Sequence, residues 1–273
     1  MHKTIFVTGS TGYIGENLLN LSQGSNFKFI KIGRSIKEFK LNLNKINNNK
    51  NNVLLHLATH YSKDVNENIK IYNANIKYGK NLLNAVDTDY FSKIIYVNTM
   101  FGFYSEKNIR DLYYTKTKQD FSKFLKSYSA KNSILYEELY LDSTFGNIDK
   151  RNKIIPIIIK SILNYENNPI KNKDASINLM YIEDVVKRIL ISLDSHDNYS
   201  SSFINTHNYY LDSIFEFLKH YSDTKLINKT LLHEQKLNYI KDYPTIDYKN
   251  LTLTKFHDGL IKTFKIMSST YGN

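Results

Sequence analysis

The chain of 273 residues contains no cysteine, and no stretch of it reaches the ~18 consecutive apolar residues that a membrane-spanning helix needs. The missing cysteine excludes disulfides, thiolate metal sites and cysteine nucleophiles, and it fits a reducing compartment. The first residues enter glycine after one short apolar run, which is unlike a signal peptide. We therefore expect a cytoplasmic protein without a membrane anchor.

The chain also lacks a continuous basic stripe, although its formal net charge is +11. The lysines are scattered among asparagines without interleaved aromatic residues, so we expect no nucleic-acid partner. The positive charge still favours anionic ligands such as nucleotide diphosphates. The histidines do not have a metal-ligand spacing, and no metal site is predicted.

Short β-branched or aromatic runs alternate with segments that carry apolar residues at helical spacing, which predicts βαβ units and a mostly parallel sheet. The predicted strands are Lys3–Thr8, Phe27–Ile32, Val53–Ala58, Ile94–Asn98 and Ile134–Leu141. The predicted helices are Asn17–Gln23, Asp64–Val86, Tyr114–Tyr128, Ile154–Asn164, Met180–Leu193 and Asp212–Tyr221. We predict an α/β fold with a Rossmann-type doubly wound parallel sheet over residues 1–145. A smaller α/β lobe is predicted over residues 146–273, with part of 177–205 returning to the first domain.

A glycine-rich segment follows the first predicted strand and opens a helix. Gly9 permits a tight turn, Gly12 lets backbone amides approach a pyrophosphate, and Gly15 lets the helix pack closely on the sheet. The start of that helix offers unpaired N–H groups and a partial positive charge to phosphates. The predicted dinucleotide site comprises Gly9, Thr11, Gly12, Tyr13, Ile14 and Gly15.

The residues after the second predicted strand indicate which dinucleotide is bound. An acidic residue at this distance from the glycines would favour NAD, because it binds the adenosine ribose hydroxyls. Arg34 instead offers a guanidinium to a 2′-phosphate, and Ser35 offers a second donor, so the sequence predicts NADPH. The alternative is an ordinary solvated arginine at a strand end.

Tyr114 and Lys118 are one helical turn apart in the sequence Tyr-Thr-Lys-Thr-Lys. A nearby ammonium and a positive nicotinamide would both lower the pKa of the Tyr114 phenol toward values at which it exchanges protons near neutrality. Thr99 lies just beyond the fourth predicted strand, where it can hydrogen-bond a substrate carbonyl oxygen as charge develops there. A Tyr-Lys pair at this spacing also arises by chance in a chain so rich in both residues.

Together these motifs resemble those of the extended short-chain dehydrogenase/reductase family, which includes nucleotide-sugar epimerases, dehydratases and reductases. The segment Thr8–Gly15 is similar to the family's TGxxGxxG, and His56–Thr59 is similar to its HLAA. Thr99, Tyr114 and Lys118 fall on its Ser/Thr-Tyr-Lys triad. Further similar segments are Asn75–Leu83, Phe145–Gly146, Tyr181–Val186 and Asn205–Leu211.

The resemblance implies roles for residues that the spacing alone does not identify. Lys118 is expected to hold the nicotinamide ribose as well as to act on Tyr114, and Asn75 to brace the active site. The other implied cofactor contacts are Leu57, Ala58 and Thr59. The implied contacts to a nucleotide-diphosphate sugar are His60, Met100, Phe101, Asn152 and Lys153. The C-terminal lobe is expected to bind this substrate, and helices 64–86 and 114–128 to form the seam of a homodimer.

Three segments resemble the subgroup of CDP-abequose and CDP-paratose synthases, which reduce the 4-keto group of CDP-linked 3,6-dideoxy sugars for cell-surface polysaccharides. These segments are Leu57–Tyr61, Asn98–Thr99 and Asp149–Pro156. Two positions depart from the family, because Tyr140 and Ile177 stand where relatives usually carry arginines. The second of those arginines often holds the sugar nucleotide's diphosphate, a role that Lys153, Arg151 or Lys236 could take.

The residues after Thr99 help to choose among the family's activities. Met100 and Phe101 stand where a 4,6-dehydratase needs an Asp-Glu pair, and the absence of cysteine disfavours reductases that first epimerise, as GDP-fucose synthases do. A 4-epimerase with bound NAD and a non-catalytic NADP-binding regulator remain as alternatives. Arg34 and the complete triad favour NADPH-dependent reduction of the C4 keto group of a nucleotide-linked 4-keto-6-deoxy or 3,6-dideoxy sugar. The base, the sugar and the C4 stereochemistry of the product stay open.

Overall fold

The structure is a computed structural model that describes residues 3–43 and 51–271. The chain divides into two compact units. Within the described residues, the first unit contains 3–43, 51–141, 186–203 and 239–249, and the second contains 142–185, 204–238 and 250–271.

A parallel sheet of six strands forms the centre of the first unit. Its strands are β1 Lys3–Thr8, β2 Phe27–Ile32, β3 Val53–His56, β4 Lys93–Thr99, β5 Leu135–Leu141 and β9 Ser200–Phe203. The order across the sheet is β2-β1-β3-β4-β5-β9. Thr8 pairs with His56, and Thr99 pairs with Leu141, so the carboxyl ends of these strands lie along one edge. Such an edge is where open α/β sheets bind ligands.

Helices connect these strands in the first unit. They are α1 Tyr13–Leu21, α2 Ile36–Leu43, α3 Asn68–Tyr72, α4 Tyr78–Leu83, α5 Lys107–Arg110 and α6 Tyr113–Lys131. A 3₁₀ turn, Val65–Glu67, and a π-helix, Asn73–Lys77, precede α3 and α4 respectively. Another 3₁₀ turn, Met100–Phe103, follows β4. The Rossmann-type parallel sheet with flanking helices predicted from the sequence is confirmed.

Alternation along the buried strands directs side chains to both faces of this sheet. On one face Phe6, Leu54 and Ile94 pack with Phe121 and Leu125 of α6 in a single core cluster. The adjacent residues on the strands, among them Ile5, Leu55 and Ile95, are fully buried on the opposite face. Because both faces are covered, the strands are nearly continuous apolar runs, as is typical of parallel sheets.

The second unit has its own core between two small sheets and three helices. Its strands are β6 Ser143–Phe145, β7 Ser176–Ile177, β8 Leu179–Tyr181, β10 Asn208–Tyr210 and β11 Glu234–Gln235. β6 pairs with β8 in parallel, and β10 pairs with β7 and β11 in antiparallel fashion. The helices are α7 Ile154–Leu163, α9 Leu211–Thr224 and α10 Phe256–Tyr271. Helix α8, Ile182–Asp194, begins in this unit and continues in the first.

Some predicted elements differ from the structure for physical reasons. The third strand ends at His56 rather than Ala58, because the Leu57 and Ala58 amides turn to donate to the Thr8 hydroxyl. The helix predicted over Asp64–Val86 is broken into 3₁₀, α and π segments. The first two residues of the helix predicted over Met180–Leu193 form the end of strand β8 instead. Helices α2 and α10 were not predicted.

Residues 239–249 return from the second unit to the first, which the sequence did not predict. The Ile240 amide donates to the Phe103 carbonyl at 2.7 Å, and Tyr104 bridges Tyr239. Farther along, the Ser202 amide donates to the Thr245 carbonyl at 2.9 Å. The segment therefore joins the edge strand β9 to the turn that follows β4. Among the described residues, no helix combines the length and hydrophobicity needed to cross a bilayer.

Candidate catalytic site

The turn between β1 and α1 is built around glycines that tolerate no side chain. Gly9 has a φ of +66°, and a Cβ placed there would lie 2.7 Å from the Ala58 amide nitrogen. A Cβ on Gly15 would lie 2.4 Å from the Gly9 carbonyl oxygen. Because these neighbours are backbone atoms, they cannot rotate away. The turn therefore packs closely against the loop that follows β3, and α1 packs closely against the turn.

The first turn of α1 meets the requirements of a phosphate site. Gly12 is the N-cap and supplies no side-chain hydrogen bond, so no capping side chain takes up the first N–H groups. Thr11 and Gly12 are exposed, and Tyr13 and Ile14 are half-buried. The exposed N–H groups and the bare glycine backbone fit the pyrophosphate of a dinucleotide.

Arg34 lies exposed in the loop after β2, and its guanidinium forms no hydrogen bond or ion pair with a described residue. Ser35 has a second role, because its hydroxyl accepts from the Glu38 amide at 3.2 Å and caps α2. Its hydroxyl proton stays available as a donor. The sequence analysis missed Tyr78, whose hydroxyl donates to the Gly33 carbonyl at 2.7 Å and ties this loop to α4.

The Thr8 hydroxyl links β1 to the loop after β3. It accepts from the amides of Leu57 and Ala58, both at 3.1 Å, so its own proton points to His56 Nδ1 at 3.2 Å. His56 is therefore the tautomer that carries its proton on Nε2. Burial, followed by the Lys118 charge, lowers the pKa of His56 to about 3. His56 is thus a neutral packed residue rather than a proton-transfer group.

Asn75 lies in the π-helix and connects three parts of the site. Its Oδ1 accepts from the Thr59 hydroxyl at 3.0 Å and from the His60 amide at 2.8 Å. Its Nδ2 donates to the Thr117 hydroxyl at 3.1 Å, and that hydroxyl donates to the Tyr114 carbonyl at 2.8 Å. π-Helical turns are often found at functional sites, and this one inserts Asn75 between the β3 loop and α6. Thr117 was not predicted, although it lies inside the Tyr114 to Lys118 segment.

Tyr114 is buried, and its hydroxyl is hydrogen-bonded by the side chains of Thr59 and Thr99. The Thr59 proton is directed to Asn75, so its oxygen faces the phenol as an acceptor. The rings of Tyr61 and Phe101 pack edge-on against Tyr114, with centroids 5.0 and 6.0 Å away. The structure therefore brings together three hydroxyls at the edge of the sheet.

The pKa of Tyr114 differs from the sequence expectation. Burial raises the pKa of Tyr114 to about 12, and the hydrogen bonds from Thr59 and Thr99 oppose that rise. Lys118 does not act on it here, because its Nζ donates to the Val97 carbonyl at 2.7 Å and lies 4.2 Å from the centre of the Tyr96 ring. In the chain without cofactor, burial is therefore the dominant influence on the pKa of Tyr114, and the lowering expected beside a nicotinamide stays a prediction.

Lys118 is almost fully buried one turn after Tyr114. Burial lowers the pKa of Lys118 to about 7, and the charge of Glu138 opposes this effect. The ammonium is thus held where small changes in its surroundings alter its charge near neutrality.

The Asn98 side chain holds the backbone of Thr99 in position. The Thr99 amide donates to Asn98 Oδ1 at 2.8 Å, and Asn98 Nδ2 donates to Glu138 Oε1 at 2.7 Å. The Thr99 hydroxyl accepts from the Phe101 amide at 3.3 Å. The sequence analysis missed Asn98 and Glu138 as site residues. Glu138 could have been noticed in the sequence, because a carboxylate inside a buried strand needs hydrogen-bond or ion-pair partners.

The predicted substrate residues are placed differently from one another. His60 pairs with Glu67 at 2.8 Å beside the Thr59 corner, and Phe101 lies against Tyr114. Met100 is fully buried, and its sulfur accepts from the Ser202 hydroxyl at 3.4 Å, so its side chain belongs to the core and we remove it from the site. Asn152 and Lys153 are exposed at the start of α7 in the second unit.

The two positions that depart from the family carry no charge. Tyr140 is buried among Glu138, Asn98 and Ser122, and its ring packs on Phe103 with centroids 5.3 Å apart. Ile177 is half-buried in β7 of the second unit.

Among the described residues, no group of three or more His, Asp or Glu side chains is arranged to hold a metal.

Comparison with known proteins places this geometry in context. The model of the NAD dependent epimerase/dehydratase family matches residues 5–205. CDP-abequose synthase from Salmonella muenchen is 26% identical over 207 residues, which cover 70% of each chain. UDP-glucose 4-epimerase from Thermotoga maritima superposes with a TM-score of 0.77 at 17% identity, over 98% of this chain and 99% of that one. A GDP-L-fucose synthetase from Naegleria fowleri bound to NADP has a TM-score of 0.74 at 14% identity, over 99% and 94%.

Proposed function

The chain belongs to the NAD-dependent epimerase/dehydratase family, and from this premise we propose that it reduces the C4 keto group of a nucleotide-linked 4-keto-6-deoxy or 3,6-dideoxy sugar with NADPH. The observation that carries the proposal is the Tyr114 hydroxyl, held between two threonine hydroxyls with Lys118 one turn away. The similarity to CDP-abequose synthases supports a sugar nucleotide as the substrate.

The proposed cofactor site consists of the glycine turn, the first turn of α1 and the loop that carries Arg34. Bound NADPH supplies a hydride to the substrate carbon. Thr11, Gly12, Tyr13 and Ile14, at the start of α1, would hold the pyrophosphate through their backbone N–H groups. Arg34 and the Ser35 hydroxyl proton would hold the 2′-phosphate that distinguishes NADPH from NADH. The residues proposed for the nicotinamide half are Leu57, Ala58, Thr59, Asn75 and Lys118.

Tyr114 is the proposed acid. Its hydroxyl proton moves to the C4 oxygen as that oxygen gains negative charge, and the Thr99 hydroxyl donates a hydrogen bond to the same oxygen. The Thr99 hydroxyl oxygen accepts from the Phe101 amide, and the hydroxyl proton remains available to donate this bond. Thr59 and Asn75 hold the phenol in place through the hydrogen bonds described above.

The sugar nucleotide's diphosphate needs a cation other than the arginines that relatives carry. Arg151 is committed to Asp149 through two hydrogen bonds, at 2.7 and 2.8 Å. Lys153 is exposed at the N-cap of α7, where the helix dipole adds to its positive charge. As the family resemblance implies, Lys153 and Asn152 are the proposed contacts to the diphosphate, and His60 and Phe101 are the proposed contacts to the sugar.

The family resemblance also leads us to propose a homodimer. Val65, Ile69 and Tyr72 are exposed apolar residues that follow one another at helical spacing before the π-helix. Tyr113, at the start of α6, is exposed as well. Exposed apolar residues grouped in this way are typical of an interface.

The direct test is to mix the protein with NADPH and a CDP-linked 4-keto-3,6-dideoxy sugar and to follow the loss of reduced-nicotinamide absorbance. We expect stoichiometric consumption, and Tyr114→Phe should lower kcat by about 10²- to 10⁴-fold because the positioned acid is lost. Interconversion of the C4 epimers of a nucleotide sugar that carries a C4 hydroxyl, in a separate mixture and without net consumption of NADPH, would instead identify a 4-epimerase. NADPH binding without turnover of any 4-keto sugar nucleotide would identify a regulator.

A further inference from the structure

Two consecutive glutamates on β5 are fully buried, and each points to a different face of the sheet. Glu137 pairs with Lys93 at 2.7 Å and with Arg188 at 3.1 Å. Glu138 accepts from the Ser200 hydroxyl at 3.0 Å and pairs with Lys126 at 2.9 Å. A buried carboxylate is costly unless it is fully partnered, so both glutamates raise the question of what they hold in place.

Glu138 determines how the Asn98 side chain is turned. Its Oε1 accepts from Asn98 Nδ2 at 2.7 Å, which places Asn98 Oδ1 toward the Thr99 amide at 2.8 Å. If the Asn98 amide were flipped, its oxygen would face the carboxylate and its NH₂ group would face the Thr99 N–H. Both contacts would be repulsive.

This arrangement fixes Thr99 at the point where β4 ends. Thr99 caps the 3₁₀ turn Met100–Phe103, and its hydroxyl hydrogen-bonds Tyr114. A rotation of the Thr99 backbone would move its hydroxyl relative to the phenol. Displacements of about 1 Å at reacting groups can cost about 10²-fold in rate.

Glu138 also acts on Lys118 through its charge. It is the carboxylate that opposes the effect of burial on the pKa of Lys118. Besides Lys118, the polar groups that interact with Glu138 are Asn98 and Tyr96 on β4, Tyr136 and Tyr140 on β5, Ser200 on β9, and Lys126 on α6. Of these, Lys126 is the only cation, and its side chain is half exposed to solvent.

We propose that Glu138 is the positioning residue of the site, because through Asn98 it fixes Thr99 against Tyr114. Its negative charge has a second effect, which favours the ammonium form of Lys118. The inference rests on the proposed function, because it gives Thr99, Tyr114 and Lys118 their roles there. The two effects of Glu138 are separable, since one requires a hydrogen-bond acceptor and the other requires a charge.

Two variants test these effects separately. Glu138→Gln keeps an acceptor for Asn98 and removes the charge, so the descending limb of the pH profile of kcat/KM should move to lower pH by about one unit. Asn98→Ala keeps the charge and removes the link to Thr99. It should lower kcat by about 10- to 100-fold, with KM changed by less than about threefold and with no shift of the profile.

Glu137→Gln is the matched control, because Glu137 is equally buried on the same strand but contacts neither Asn98 nor Thr99. A merely structural role predicts that both glutamate variants lose stability and give superimposable pH profiles. That result, or an Asn98→Ala kcat within about twofold of the wild type, would overturn the proposal. Asn98→Ala removes no buried charge. If Glu138→Gln does not fold, the proposal is tested with Asn98→Ala alone.

Failure of the proposed function gives a different result, because wild-type protein would then not reduce any 4-keto sugar nucleotide. Crystal structures of wild type and Asn98→Ala test the positioning without turnover. A shift of the Thr99 hydroxyl by more than about 0.5 Å relative to Tyr114 is expected, and an unchanged position would reject the role of Glu138.

Discussion

Burial and hydrogen bonding act in opposite directions on the pKa of the Tyr114 phenol. Burial disfavours the phenolate, whereas hydrogen bonds from Thr59 and Thr99 favour it. The Thr59 proton points to Asn75 while Tyr114 is protonated. When Tyr114 has given up its proton, the Thr59 hydroxyl can rotate toward the phenolate, because Asn75 Oδ1 keeps the His60 amide as a donor.

Replacing Thr59 therefore tests the hydrogen bond to Tyr114. Thr59→Val should raise the pKa of Tyr114 further, so in the direction of alcohol oxidation, where Tyr114 acts as the base, the ascending limb of the pH profile moves to higher pH. At a fixed pH below that limb the oxidation rate should fall by about tenfold for each unit that the pKa rises. Thr59→Ser keeps a hydroxyl and should restore the wild-type profile. Coincident profiles for Thr59→Val and wild type would show that this contact has no effect.

Arg34 should determine which nicotinamide cofactor is preferred. Arg34→Ala removes the guanidinium proposed for the 2′-phosphate, at a cost of about 2 kcal/mol in NADPH binding, or roughly 30-fold in Kd. NADH binding should change by less than about twofold, as measured by fluorescence titration of both cofactors. Lys37→Ala, an exposed cation on the neighbouring helix α2, is the control. Equal losses for NADPH and NADH would assign Arg34 to general electrostatic attraction.

The glycine turn shows how an element positions the site. Gly15 packs on the backbone of Gly9 and Ser10, so a side chain there would push α1 away from the sheet. Gly15→Ala should lower the free energy of unfolding by about 1–3 kcal/mol and weaken NADPH binding as well. Denaturant unfolding and a binding titration measure the two effects.

Gly24→Ala is the control for this substitution. Gly24 has a φ of +83° but open space around its Cα. The variant should lose about 1 kcal/mol of stability and bind NADPH like the wild type. If Gly15→Ala also binds NADPH with unchanged affinity, the turn does not carry the cofactor site.

Local patterns in the sequence were sufficient to predict most elements of the first unit. β1 and β2 begin and end where their β-branched and aromatic runs predicted. Helix α10 was within reach of the same reasoning, because Leu260, Phe264 and Met267 recur at helical spacing and are buried. The π-helix could not be predicted in this way, since it depends on where Asn75 meets Thr59 and Thr117 in space.

The contacts behind the site are non-local, and this explains why they were missed. Glu138 on β5 binds Asn98 on the neighbouring strand β4. It also binds Ser200 on β9, a strand that comes about 60 residues later in the chain. No spacing rule links these residues. The triad positions could be predicted because Tyr114 and Lys118 lie on one helix and Thr99 ends a recognisable strand.

At the scale of the whole molecule, the chain crosses repeatedly between its two units. Residues 186–203 supply the last strand of the parallel sheet, and residues 239–249 run beside that strand. These returns join distant parts of the sequence to the first unit. Truncation before residue 239 would therefore leave β9 in the chain but remove the segment that runs beside it.

The proposed homodimer can be tested by sedimentation. Ile69 is exposed over 75% of its surface, and Ile69→Glu would place a charge in the proposed seam. We expect wild type to sediment as a dimer at micromolar concentration and Ile69→Glu as a monomer. Leu226→Glu changes an apolar residue of the second unit that is 66% exposed, and this variant should stay dimeric. A wild-type protein that sediments as a monomer would contradict the proposed homodimer.

The central claim is that a hydride reaches C4 of the sugar while Tyr114 supplies the proton. The most direct measurement uses NADPH deuterated at the transferred position, a CDP-linked 4-keto-3,6-dideoxy sugar and NMR analysis of the product. The account predicts one deuterium at C4, with one NADP formed for each product and almost no product from Tyr114→Phe. A product without deuterium at C4, or turnover unchanged in Tyr114→Phe, would contradict it.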